Sequence, residues 1–201
     1  MKPPLQVIGL ALSVLAIAAL PETAVARSCR AVSPAAPSIE TRAFMPAGLG
    51  LVINIPSNYR SILRSSGHIT FHDPNSFEFI QCLVRTGEYG AVPPYASLEV
   101  HPGVIPSREL IDIVRSKRPW VDYYSPDFVA IEAMGRPAIR YEYTNKIYGF
   151  SILNISFLST DGNTLLTLSG PAQNPIMQNA SLTLALDELT VEEPVEEVGQ
   201  E

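Results

Sequence analysis

The 201-residue chain has no surplus of basic charge, only two cysteines and one tryptophan, and none of the short catalytic signatures. Fourteen Lys and Arg against twenty Asp and Glu give a net charge of −6, which argues against binding nucleic acid through phosphate contacts. There is no G-x-S-x-G elbow, Ser-x-x-Lys, H-E-x-x-H or Walker loop, and no C-x-x-C redox pair. Asp122, Asp127 and Glu132 have no spacing that pairs them as glycosidase carboxylates. No Gly or Pro period suggests a collagen-like polymer, and 46% hydrophobic residues is too many for an intrinsically disordered chain. One globular domain remains.

The N-terminus carries an address. Lys2 is followed by an apolar run over residues 5–20 and then by Ala24, Val25 and Ala26: a charged start, a hydrophobic stretch and a small-x-small cleavage site. Residues 1–26 read as a cleaved secretory signal; an uncleaved anchor would export the same domain. Lipidation at Cys29 is disfavoured by Arg27, a charge where a lipobox has small apolar residues. No later stretch is apolar for long enough to span a bilayer. Export into an oxidising compartment makes one Cys29–Cys82 disulfide the simplest pairing, closing a loop for which chain entropy predicts about 4 kcal/mol; two unpaired thiols are the alternative.

Residues 27–43, with Pro34 and Pro37 among Ala and Ser, read as a flexible leader, and 44–191 as a single domain. Residues 192–201 hold five glutamates and no cation, an acidic solvated tail that carries most of the net charge. Inside the domain, period-two patterning predicts strands over 51–55, 69–71, 77–84 and 95–100, and hairpins over 128–144 and 148–169, the latter turning at Asp161, Gly162 and Asn163. The segment 77–84 is apolar on both faces, which marks a central strand covered on both sides and places Cys82 in it. A helix over 107–118 has Ser107 as its cap, Leu110, Ile111 and Val114 as its stripe, and Pro119 as its stop. A second helix spans roughly 176–189. The fold class is α+β: a mainly antiparallel twisted sheet with a helix packed on each face.

His68 and His72, four apart and followed by Asp73, would share one helix face as metal ligands, but their surroundings read as strand, where four residues span about 13 Å. His101 joins them only if its strand is a neighbour; no metal or other cofactor is expected. Arg118, Trp120, Tyr123 and Tyr124 gather cation and aromatics just after a helix, the residue types that anchor interfaces, and are the expected partner-binding residues. Asn154 and Asn179 begin N-x-S/T acceptors, Asn154 within a predicted strand.

The sequence GLVINIPSNY at 50–59, the middle helix, the long hairpin running into Ser169, Gly170 and Pro171, and the closing segment SLTLALDELTV at 181–191 together resemble the PsbP-like family of extracytoplasmic proteins. The resemblance covers about 44–191 and rests on short, fold-like motifs. Tyr59 stands where the family usually has Trp, and no calcium-, manganese- or photosystem-binding residues can be matched. It implies the α/β/α fold, a periplasmic or thylakoid-lumen location and a non-enzymatic accessory role, such as a photosystem or envelope assembly factor acting through a protein partner. The reading from a different class is an extracytoplasmic hydrolase whose site assembles from distant residues.

Overall fold

The computed structural model describes residues 28–105, 108–133, 135–146 and 149–180. The expected signal segment, the acidic tail and the closing helix beyond residue 180 lie outside the described residues.

The fold is α+β, with every strand pair antiparallel. Strands β1 (Thr41–Phe44) and β2 (Ile53–Pro56) form a two-stranded sheet. The larger sheet contains β3 (Arg60–Leu63), β4 (Ile69–His72), β5 (Ala96–Pro102), β6 (Val129–Ala133), β7 (Arg136–Asn145), β8 (Phe150–Leu158) and β9 (Thr164–Pro171). Its spatial order is β3-β4-β5-β9-β8-β7-β6. Both expected hairpins are present. β3 escapes the sequence pattern because it is four residues long and joined to β4 by a tight turn through Gly67, whose φ of 82° suits glycine.

Residues 77–84 are a correction: they lie in a helix, α1 (Pro74–Thr86). The reason lies in the flanks. Asp73 takes an extended conformation and its carboxylate accepts from the Asn75 and Ser76 amides, Pro74 occupies the first turn, and Gly87 closes the helix in the left-handed conformation. Ser76, Phe79, Ile80 and Leu83 then make the inward stripe, leaving Val84 exposed. Cys82 is therefore helical. The middle helix, α2 (Leu110–Lys117), starts later than its pattern suggests: its N-cap is Glu109, which makes no side-chain cap bond, whereas Ser107 lies outside the described residues. Arg115 and Lys117 complement its C-terminal dipole as expected.

The sheet separates two cores. On one face Phe71, Leu98, Ile155, Phe157 and Leu168 pack under Ile53 and Ile55 of β2 and under Ile176 and Met177 of a helical turn over 175–180. On the other, Tyr141 and Leu165 pack under Ile113 and Val114 of α2 and under Val121 of a 3-10 turn, Pro119–Tyr124. Residues 28–38, expected as part of a flexible leader, are held against the domain. Cys29 is disulfide-bonded to Cys82, the Ala35 amide donates to Asp73 Oδ1 at 2.7 Å, and the Ser38 amide donates to Asn58 Oδ1 at 3.0 Å. Among the described residues, no helix is long and apolar enough to cross a membrane.

Candidate functional site

The face under α2 is unusually polar for a buried surface. Thr70, Ser97, Ser169, Asn154 and Tyr141 are successive partners across β4, β5, β9, β8 and β7, so their side chains form one row. The next row runs Glu99, Thr167 and Ser156. Buried polar groups must find partners, and Arg118 supplies many of them. Pro119 disfavours helical geometry at Arg118, which leaves α2 with φ −131° and ψ 61°. Its side chain is 1% exposed. One guanidinium nitrogen donates to the Tyr141 hydroxyl and to Asn154 Oδ1 (3.0 Å), the other to Glu99 Oε1 (2.9 Å). The guanidinium also lies 4.5 Å from the centre of the Trp120 ring. Arg118 Nε is buried without a partner among the described residues.

Glu99 continues the network outward, its second oxygen lying 3.2 Å from His101 Nε2, and the His101 ring packs edge-on against His68 at 5.4 Å. Burial alone would raise the Glu99 carboxyl; the His101 hydrogen bond and the charges of Arg118 and the histidines outweigh it and hold it below the usual carboxylate range. Burial pushes Tyr141 up, and Tyr143 up to about 12 despite the opposing charge of Arg118, so both hydroxyls stay protonated.

The aromatic segment joins this network from above. Trp120 meets Tyr143 edge-on at 5.3 Å and Tyr124 at 6.1 Å, while Tyr124 stacks on Tyr143 at 4.6 Å. Tyr123, 75% exposed, packs on Tyr124 and carries Lys146 over its ring. Trp120 is 40% exposed. The expected partner-binding residues thus divide: the three aromatics reach the surface, but Arg118 does not, because its charge is consumed inside. That part of the expectation is corrected.

Beside Tyr143 the polar face opens into a groove of about 560 Å³. Ser97, Ser169, Ile152 and Tyr143 line it from the sheet, with Phe150 and Pro171 at the strand ends. Its other walls are the loop 91–95 and residues 32–34 of the leader. Among the described residues that line it, none is Asp, Glu, Lys, Arg or His.

The four metal candidates scatter. His68 and His101 come together, but His72 turns inward onto Thr70 (2.8 Å) and the Tyr95 ring (4.8 Å), and Asp73 caps α1. Among the described residues, no three His, Cys, Asp or Glu converge. Asn154, the possible glycosylation acceptor, is buried and holds Arg118. Sequence reasoning passed over Glu99, Tyr141 and Tyr143, and read Asn154 only as a glycosylation acceptor. Asn154 and Ser156, alternating inside the apolar run ILNISFL, were the available sign of a polar face.

No protein-family model matches the chain, and no curated protein matches it. Among solved structures, it is similar to a protein from Bacteroides thetaiotaomicron VPI-5482 at 14% identity and a TM-score of 0.38, over 67% of this chain and 45% of that one. It thus spans under half the length of that protein. It is also similar to a Pseudomonas aeruginosa protein of unknown function at 12% identity and a TM-score of 0.30, over 77% of this chain and 96% of that one. Neither likeness is close enough to bear on function.

Proposed function

We propose that this is an exported, non-catalytic accessory domain that binds a protein partner through the groove and the aromatic segment beside it. The carrying observation is the groove itself: a concavity of ligand size, walled by aromatic, proline and hydroxyl side chains, whose described lining residues include no Asp, Glu, His, Lys or Arg. That composition favours binding over hydrolysis. The Cys29–Cys82 disulfide supports an oxidising location, in keeping with a periplasm or thylakoid lumen. The PsbP-like architecture belongs to this proposal: α2 lies over one face, and the helical residues 175–180 pack on the other. An assembly factor is the role that fits.

The test is photo-crosslinking in the source cells, with a photoreactive residue in place of Trp120 or Tyr95 and, as control, in place of Val129 on the far edge strand. The expected result is one defined adduct from the first two positions, absent from the third. Equal labelling at all three, or none at the groove, overturns the proposal.

A further inference from the structure

The leader shows what kind of chain this surface holds. Between residues 29 and 38 the half-buried positions are Cys29, Val32, Ala35 and Ser38, with exposed residues between them. A recurrence of three is the period of a polyproline II helix, and Pro34 and Pro37 lie within the stretch. Such a helix has no internal hydrogen bonds, so its backbone groups need partners from elsewhere. Here side chains provide them. Asn75 Nδ2 donates to the Ser33 carbonyl (3.0 Å) and Asn58 Nδ2 to the Ala36 carbonyl (3.0 Å). The Ala35 and Ser38 amides donate to Asp73 and Asn58. Over residues 33–38, past Arg30, the domain thus already grips one extended, proline-containing, uncharged stretch by side chain to backbone.

Residues 32–34 of that segment are one wall of the groove, so a second segment laid in it would run beside the first; the leader is held by Asn and Asp side chains, whereas the groove's lining is aromatic and hydroxyl. Tyr95 and Tyr143 offer ring faces and edges, the surface on which proline rings pack. Ser97 and Ser169 on the floor carry hydroxyls able to meet carbonyls and amides. A charged ligand group would lose its hydration there against a lining with no opposite charge. We propose that the groove takes an uncharged, proline-containing, extended segment of a partner protein, laid alongside this chain's own leader. The proposal rests on the groove being the partner site.

The experiment is an amide-resolved NMR titration of the disulfide-bonded full chain with three blocked peptides. The first is the neutral Ala-Pro-Pro-Leu-Pro-Ala-Pro, the second has every Pro replaced by Gly, and the third has Asp and Lys in place of its Ala and Leu. The first should shift the amides of residues 91, 92, 95–97, 143–145, 150–152, 169 and 170, with the others at least roughly tenfold weaker. Tyr143→Ala and Tyr95→Ala should each weaken the first peptide by roughly tenfold. Should Tyr143→Ala unfold the chain, Tyr95→Ala decides, since its ring is partly exposed. Groove shifts of equal strength with the glycine or charged peptide overturn the proline chemistry and leave the groove standing as a partner site. No groove shift with any of the three, together with no crosslink at Tyr95, overturns both.

Discussion

Arg118 concentrates more interactions than any other described residue of the polar face, and its removal has a calculable sign. Arg118→Met leaves Glu99 without its strongest counter-charge and leaves Asn154 and Tyr141 short of a donor, so urea unfolding should show a loss of about 3 kcal/mol. Arg118→Lys should recover little, because an ammonium cannot reproduce the two-pronged contact. A double replacement, Arg118→Met with Glu99→Leu, should be more stable than Arg118→Met alone, since both charges are then gone; a further loss would show that the pair is not acting as a pair. His72 sets a pH dependence. Burial first, then the Arg64 guanidinium 3.4 Å away, lowers its pKa from 6.5 to about 4, against a smaller opposing pull from Asp73. The unfolded chain therefore binds a proton that the folded chain refuses. Stability from this residue is complete above about pH 6.5, falls as pH drops and levels off near 4, a loss of about 3 kcal/mol. Glu99 acts in the same direction over the carboxylate range, since its folded pKa is depressed. Urea midpoints against pH should show the slope between 6.5 and 4 flattened in His72→Gln; an unchanged slope would place its origin elsewhere. The sequence could name His72 as a residue of interest but not its role, because whether an imidazole on a strand faces water or a packed Tyr95 is decided by the neighbouring strand.

At the scale of elements, α1 shows how local punctuation outranks hydrophobic pattern. Residues 77–84 are apolar enough to satisfy a two-faced strand, and period-two reading of so short a run cannot separate it from a helix. The deciding residues are outside the run: Asp73 and Pro74 before it and Gly87 after it. By contrast, α2 and the two hairpins were legible, because Pro119 and the Asp161–Asn163 turn interrupt patterns that are otherwise unambiguous. The cysteine pairing was legible as well, although its anchor is a helix. The consequence concerns the leader, which the disulfide staples to α1 near the groove wall. Cys29→Ser with Cys82→Ser should cost about 4 kcal/mol by the loop-entropy argument for a separation of 53 residues. It should also speed hydrogen exchange at the Ala35 and Ser38 amides well before the sheet responds, because side-chain hydrogen bonds with Asp73, Asn58 and Asn75 would then hold the strap without a covalent anchor. Unchanged exchange there would mean that the side-chain clamps suffice and the disulfide acts only on the unfolded chain.

The whole molecule is organised around β5 and β9, strands more than sixty residues apart that pair at the centre of the sheet and join the β3–β4 half to the β6–β8 half. The core under β2 and both polar rows cross this seam, so neither half can bury that apolar face alone. The order β4-β5-β9-β8 is invisible in the sequence, where nothing marks which strand closes beside which, and the groove is invisible for the same reason: its walls come from the leader, one loop and the ends of four strands. The architecture implies a ranking of hydrogen exchange. Amides of β5, β8 and β9 should open only with global unfolding, β4 and β7 somewhat sooner, and the edges β3 and β6 soonest, since each edge strand has one neighbour and β6 is largely exposed. The groove binds at the slow seam, through Ser97 and Ser169, while its outer wall is the fast leader. A bound segment should therefore slow exchange at the leader and the loop 91–95, whose local opening breaks the site, and also at β5 and β9, because binding adds to the free energy of the global unfolding through which they exchange. If β6 instead proved as protected as β9 in the free protein, its edge would have to be covered in solution by a second copy of the chain, and protection there would fall on dilution.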